Sequence, residues 1–135
     1  MEQKEFSDFV IQKIIDRFPL FKGMCSTRLN DVIDLDYSSK KGKLILRLTT
    51  QNKEITIGFG VGSKFGWHTH MNIYGASTLD EEVDNAIQLT DSIINDKVKI
   101  LYSSISGYFI TPDIESVYEN KEQGEIVETF YWGEV

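Results

Sequence analysis

The chain has 135 residues, 41% hydrophobic and 26% charged, with two prolines and one cysteine. That length and balance suit one domain around one core and exclude a disordered or low-complexity chain. The formal net charge of −7 is uneven, since residues 1–75 hold 11 Lys and Arg against 8 Asp and Glu while residues 76–135 hold 3 against 13; such an acidic field repels phosphate backbones, which argues against nucleic acid and for a basic protein partner.

The start, Met1 to Glu5, lacks a basic stretch followed by an apolar run, so no signal peptide is expected, and no stretch reaches the ~18 apolar residues of a membrane span. Cys25 has no second cysteine to pair with, and the expected location is the cytoplasm. From Glu2 to Phe18, the residues Phe6, Phe9, Val10, Ile14 and Phe18 recur at the helical period, widened by Ile11 and Ile15. Pro19 disfavours helical geometry at the residue before it and sets the end. The mixed signs of Lys4, Glu5, Asp8, Lys13, Asp16 and Arg17 fit a helix packed on a sheet better than one lying on a membrane.

A loop is expected from Lys22 to Arg28, then an irregular strand over 31–38 and a turn over 38–42. Leu44, Leu46 and Leu48 alternate with polar or outward positions, as do Ile55, Ile57, Phe59 and Val61, with the polar run 50–53 between them. This predicts a β-hairpin feeding a core from one face. Glycines at 58, 60, 62 and 66 do not make a phosphate loop, because no helix opens after them and no Lys-Ser/Thr follows; they relieve crowding or admit a close neighbour. A turn at Gly62-Ser63-Lys64 leads into a strand over 65–74 that holds both histidines.

Alternation within that strand puts Trp67, Thr69, Met71 and Ile73 on a core side and His68, His70, Asn72 and Tyr74 on the other. Thr78 and Glu81 have the capping-box spacing, and a helix follows from Leu79 to about Asn95, with Asp80, Glu81 and Glu82 at its positive end. Val98, Ile100 and Tyr102 begin another strand, a turn falls near Gly107, and residues 108–111 form a strand that Pro112 ends. Residues 113–124 are charged, with room for a helical turn, and residues 125–132 close the chain as a strand. The expected architecture is a single α+β domain over 1–135, a mostly antiparallel sheet of six to seven strands with two helices on one face and the other face open.

Two imidazoles at i and i+2 can begin a metal site, but zinc usually takes at least three protein ligands, and no Cys-x-x-Cys or His-Glu-x-x-His spacing supplies the rest. Cys25 near Arg28 has no further histidine to act as its base, and no Gly-x-Ser-x-Gly elbow occurs. No catalytic, cofactor or metal residue is assigned, and a solvated strand face is the plain alternative for the histidines.

Trp67-His68-Thr69-His70, the turn after it, the acidic-capped helix and the Val/Ile/Tyr strand closed by a glycine turn together resemble small α+β immunity proteins that accompany bacterial polymorphic and contact-dependent toxins. The likeness spans about Glu54 to Thr111. It implies a cytoplasmic, non-enzymatic inhibitor that binds one cognate toxin domain through acidic residues against a basic surface. The uneven charge fits that implication, because opposite potentials speed association. The expected contact set is His68, His70, Asn72 and Tyr74 with Glu115, Glu119, Glu122, Glu125 and Glu128, and Tyr131 and Trp132 as aromatic anchors. Competing readings are a small metal-dependent or acid–base enzyme using His68 and His70, and a homo-oligomeric structural domain, so the chain is expected as monomer or homodimer.

Overall fold

A computed structural model describes residues 1–62 and 65–135. Ser63 and Lys64 of the turn expected at Gly62-Ser63-Lys64 lie outside the described residues. Helix α1 (Gln3–Arg17) buries Phe6, Val10, Ile11 and Ile14 as its periodicity requires, and it stops at Phe18, whose backbone is non-helical before Pro19. Strand β1 (Cys25–Thr27) occupies what the sequence suggested was loop; three residues are too few to show alternation. It pairs antiparallel with β2 (Ile33–Ser38), which pairs with β3 (Ile45–Thr49), then β4 (Thr56–Gly60) and β5 (Trp67–His70), so the five strands form a meander in chain order.

The hairpin of β3 and β4 has the register the alternation demands. Leu35, Leu48, Ile57 and Thr69 form one inward row across β2 to β5, and Tyr37, Leu46, Phe59 and Trp67 the next. Val61, expected inward, is 63% exposed because β4 ends at Gly60. After β5 the chain makes a 3-10 turn over Met71–Ile73 and enters helix α2 (Leu79–Ile94). The Thr78 hydroxyl accepts from the Glu81 N–H at 3.2 Å, while the Glu81 carboxylate accepts from Ser77 N–H at 2.6 Å, one residue before the amide that a capping box would use.

The last third forms a second sheet. Strand β6 (Ile100–Ser103) lies between β7 (Gly107–Phe109) and β8 (Val127–Phe130), both antiparallel to it. A short helix, α3 (Ile114–Glu119), joins β7 to β8, with the Asp113 carboxylate capping it at Ser116 N–H, 3.1 Å. Among the described residues the fold is α+β with antiparallel strands, but as sheets of five and three strands with three helices, not one sheet of six or seven with two. Sequential strands usually pair, and that rule fails here at two steps: from β5 to β6, where α2 intervenes, and from β7 to β8, where the chain passes through α3 and returns to the other side of β6.

One core joins these parts. Phe6, Val10 and Ile14 of α1 and Val83, Ala86 and Ile93 of α2 meet the inward rows of the first sheet, and Ile100, Trp132 and Val135 enter the same cluster. Burying a Phe or Ile side chain contributes ~1.5–3 kcal/mol, so this shared cluster holds the two sheets together. Among the described residues, no helix is long and apolar enough to cross a membrane.

Candidate functional site

With the helices packed against the inward rows, the outward row of the first sheet carries its polar side chains. Cross-strand register sets Asp36, Arg47, Gly58 and His68 side by side, and Asp34, Thr49, Thr56 and His70 in the adjacent row. Arg47 grips Asp36 with two nitrogens, at 2.6 and 2.9 Å, and its guanidinium lies 5.8 Å from the centre of the Phe65 ring. The ion pair raises the Arg47 pKa further above its ordinary value, chiefly through the hydrogen bond to Asp36. Arg28 holds Asp34 in the same way, 2.6 Å from Nε and 3.1 Å from Nη2.

Phe65 reaches this face beside Gly58. A Cβ on Gly58 would sit 2.6 Å from the Phe65 ring, 2.2 Å from the Trp67 carbonyl oxygen and 2.7 Å from His68 Cβ. Gly58 is therefore the position where the missing side chain lets another group approach. Phe65 in turn lies 5.6 Å, ring centre to ring centre, from His68.

His68 and His70 share the outward face as alternation predicts, with ring centres 5.6 Å apart. His70 Nδ1 lies 2.8 Å from the Thr56 hydroxyl and 3.7 Å from the Glu54 carboxylate, beyond hydrogen-bond length. Burial pushes the Glu82 carboxyl above its ordinary value, and the charge of Glu54 adds to the shift. Among the described residues, no group of three or more His, Cys, Asp or Glu side chains has the geometry to hold a metal ion. Burial also raises the Cys25 thiol, the opposite of an activated thiolate.

Asn72 and Tyr74 do not extend the histidine face. The Met71 N–H donates to Ile55 at 3.0 Å as the last rung, and the chain then turns, so strand alternation ends at His70. Asn72 is exposed on the turn. The Tyr74 hydroxyl bonds Thr69, a residue of the inward row, at 2.8 Å. For the same reason Ile73, expected in the core, is 67% exposed, while Met71 before it is fully buried.

The carboxylates of the C-terminal third lie on other elements. Glu115 and Glu119 stand exposed on α3, Glu122 on the loop after it and Glu128 on β8. Among the described residues none of these four has a cationic group within 4.0 Å. Glu125 differs: it accepts from the Ser103 hydroxyl and, at 3.0 Å, from the Glu122 N–H, and these bonds hold its pKa below the ordinary value. Tyr131 is half-buried, with Lys99 Nζ 5.8 Å from its ring centre. Trp132 is 3% exposed, its ring 6.3 Å from Tyr37 and 6.5 Å from Phe59, so it anchors the core and leaves the expected contact set.

One feature was not read from the sequence. A cleft of about 570 Å³ opens at the far end of the first sheet, lined by Gln3, Arg28, Leu29, Asn30, Gln51 and Asn52 among others. Its two rims each carry consecutive left-handed residues, Asn30-Asp31 and Asn52-Lys53, with φ between 54° and 62°. Buried Ser7 and Thr50 join the rims: the Ser7 hydroxyl donates to the Asp31 carbonyl at 2.7 Å and lies 2.7 Å from the Thr50 hydroxyl. The visible signal was an Asn at each loop, the non-glycine residue that best tolerates this conformation.

Compared with known protein families, characterised proteins and solved structures, the chain gives no significant match.

Proposed function

We propose that this chain is a non-enzymatic protein-binding domain, an immunity-type inhibitor that occludes a cognate bacterial toxin domain in the cytoplasm. The observation that carries the reading is the set of exposed carboxylates at Glu115, Glu119, Glu122 and Glu128, which have no cationic partner among the described residues, in a segment that also exposes Tyr118 and Ile126. Unneutralised like charges concentrated in one stretch of chain destabilise the isolated protein slightly and favour a partner of opposite sign. Exposed apolar groups among them supply area for contact. His68 and His70, at 5.6 Å on the outward face of β5, form a second contact region in this reading.

The acid–base alternative needs a carboxylate within hydrogen-bond reach of a histidine, and Glu54 at 3.7 Å does not provide one. The test is calorimetry against the toxin domain encoded beside this chain. Replacing Glu115, Glu119, Glu122 and Glu128 together by Gln should weaken binding about tenfold or more, mainly through a slower and less salt-sensitive association. Binding unchanged by the four substitutions would refute the acidic surface, and retained affinity in a His68→Ala/His70→Ala protein would remove the histidines from the interface.

A further inference from the structure

Strand β8 presents a row of backbone groups without partners among the described residues. The β6–β8 ladder runs on to Ser104 and Ile126, where the Ser104 N–H donates to the Ile126 carbonyl at 2.9 Å. Bonded and non-bonded pairs alternate along an antiparallel ladder. Tyr102–Glu128 and Ile100–Phe130 are therefore the bonded pairs that follow, and the N–H and C=O groups of Val127 and Thr129 point away from β6. β8 ends the sheet order, and among the described residues no loop or side-chain group bonds the four outward atoms.

The side chains on this edge select what can pair with it. Ile126, Glu128 and Phe130 alternate onto one face, with Ile126 56% exposed and Glu128 exposed and without a cationic partner among the described residues. A second copy is a poor occupant. Antiparallel self-pairing that uses the outward groups of 127 and 129 sets Glu128 against Glu128, or against Ile126 or Phe130, and never against a cation. Like charges directly opposite are destabilising, and a charged side chain on an edge strand is a common guard against self-association.

Resting on the reading that this acidic surface binds a basic protein, we infer that the partner docks by adding an antiparallel strand to the free edge of β8. Its residues opposite Val127 and Thr129 exchange main-chain hydrogen bonds with them. The residue between those two faces Glu128 in a non-bonded pair, where Cβ atoms approach to ~4.5–5.5 Å, and is Lys or Arg. The residues two places to either side face Ile126 and Phe130 and are apolar. The partner segment thus has the pattern apolar-x-basic-x-apolar, with affinity from main-chain bonds and selectivity from the alternate side chains.

The test uses the intact protein and the probe acetyl-Lys-Val-Thr-Lys-Thr-Val-Lys-amide, beside the same peptide N-methylated at both threonines, which keeps its charge and loses the two edge-bonding N–H groups. Amide hydrogen exchange is followed by NMR at Val127 and Thr129. The expected result is that the unmodified peptide slows exchange at both amides at least about tenfold, leaves Cys25 and Thr27 on the β1 edge unaffected, and binds at least about tenfold more tightly than the methylated form. Thr129→Pro, which removes an N–H that points away from β6, should abolish the protection; the methylated peptide supplies the same control without any change to the protein. Equal binding of both peptides without protection at these amides would overturn the strand addition and leave the acidic surface standing. Absence of binding by either peptide would count against the acidic surface itself.

Discussion

On the outward face of the first sheet, Asp34 and Asp36 each lie 2.6 Å from an arginine, whereas on α3 and β8 the carboxylates of Glu115, Glu119 and Glu128 have no cation within 4.0 Å among the described residues. The residue types are the same in both places, and register makes the difference. In the meander, β2 and β3 bring Asp36 opposite Arg47, so the charge is consumed within the fold. In the second sheet, Glu128 lies opposite Tyr102, which cannot neutralise it. The ion-paired positions of the first sheet thus serve its ordering, while the charges of Glu115, Glu119 and Glu128 are left to the solvent.

If the first sheet's outward face is structural, the most damaging change there is steric. Gly58→Val should destabilise the protein by about 3 kcal/mol, the upper part of the range for overpacking, because its Cβ would meet the Trp67 carbonyl oxygen at 2.2 Å and the Phe65 ring at 2.6 Å. Chemical denaturation would show it, and a loss below ~0.5 kcal/mol would mean that Phe65 and β5 give way freely.

The paired and unpaired charges should then separate in stability. Arg47→Ala removes both the bidentate pair to Asp36 and the contact with Phe65, and should cost about 1 kcal/mol. The fourfold Gln replacement of Glu115, Glu119, Glu122 and Glu128 touches only exposed groups and should alter stability by less than ~0.5 kcal/mol, with relief of repulsion setting any gain. Similar losses in the two proteins would erase the distinction between the sheets.

Sequence alternation made α1, the β3–β4 hairpin and α2 legible because each has a long period and one buried face. Trp67, Thr69 and Met71 followed for the same reason. What failed failed at ends: Val61, Ile73 and Tyr74 continue an alternation in the sequence after the strand has stopped in space. Trp132 belongs to that group, since the chain passes from β8 into a 3-10 turn over Trp132–Glu134 and swings the indole inward. The split into two sheets was hidden for a different reason, because the pairing of β6 with β7 and β8 is set by tertiary topology and not by any local pattern. The concentration of carboxylates after residue 76 was readable from charge alone, while the outward groups of Val127 and Thr129 required the register.

The smallest effect expected concerns the one carboxylate of that surface that the fold does use. Bonds from the Ser103 hydroxyl and the Glu122 N–H hold the Glu125 pKa below its ordinary 4.5. A carboxyl whose folded pKa is depressed binds fewer protons folded than unfolded near that pH, so its contribution is complete above pH about 4.5 and is lost as pH falls through the folded value. Ser103→Ala should raise the Glu125 pKa toward 4.5 and remove part of that acid sensitivity. Ser103 also accepts from the N–H groups of Ile105 and Ser106 at 3.1 Å, and losing those bonds shifts stability equally at every pH. Denaturation of both proteins at neutral pH and through the acid range separates the two parts: the stability difference between wild type and variant should narrow below pH about 4.5 toward the constant offset. A difference that stays the same across that range would show that Ser103 shapes the β6–β7 turn alone, and Glu125 would then join Glu128 among the carboxylates that serve the field.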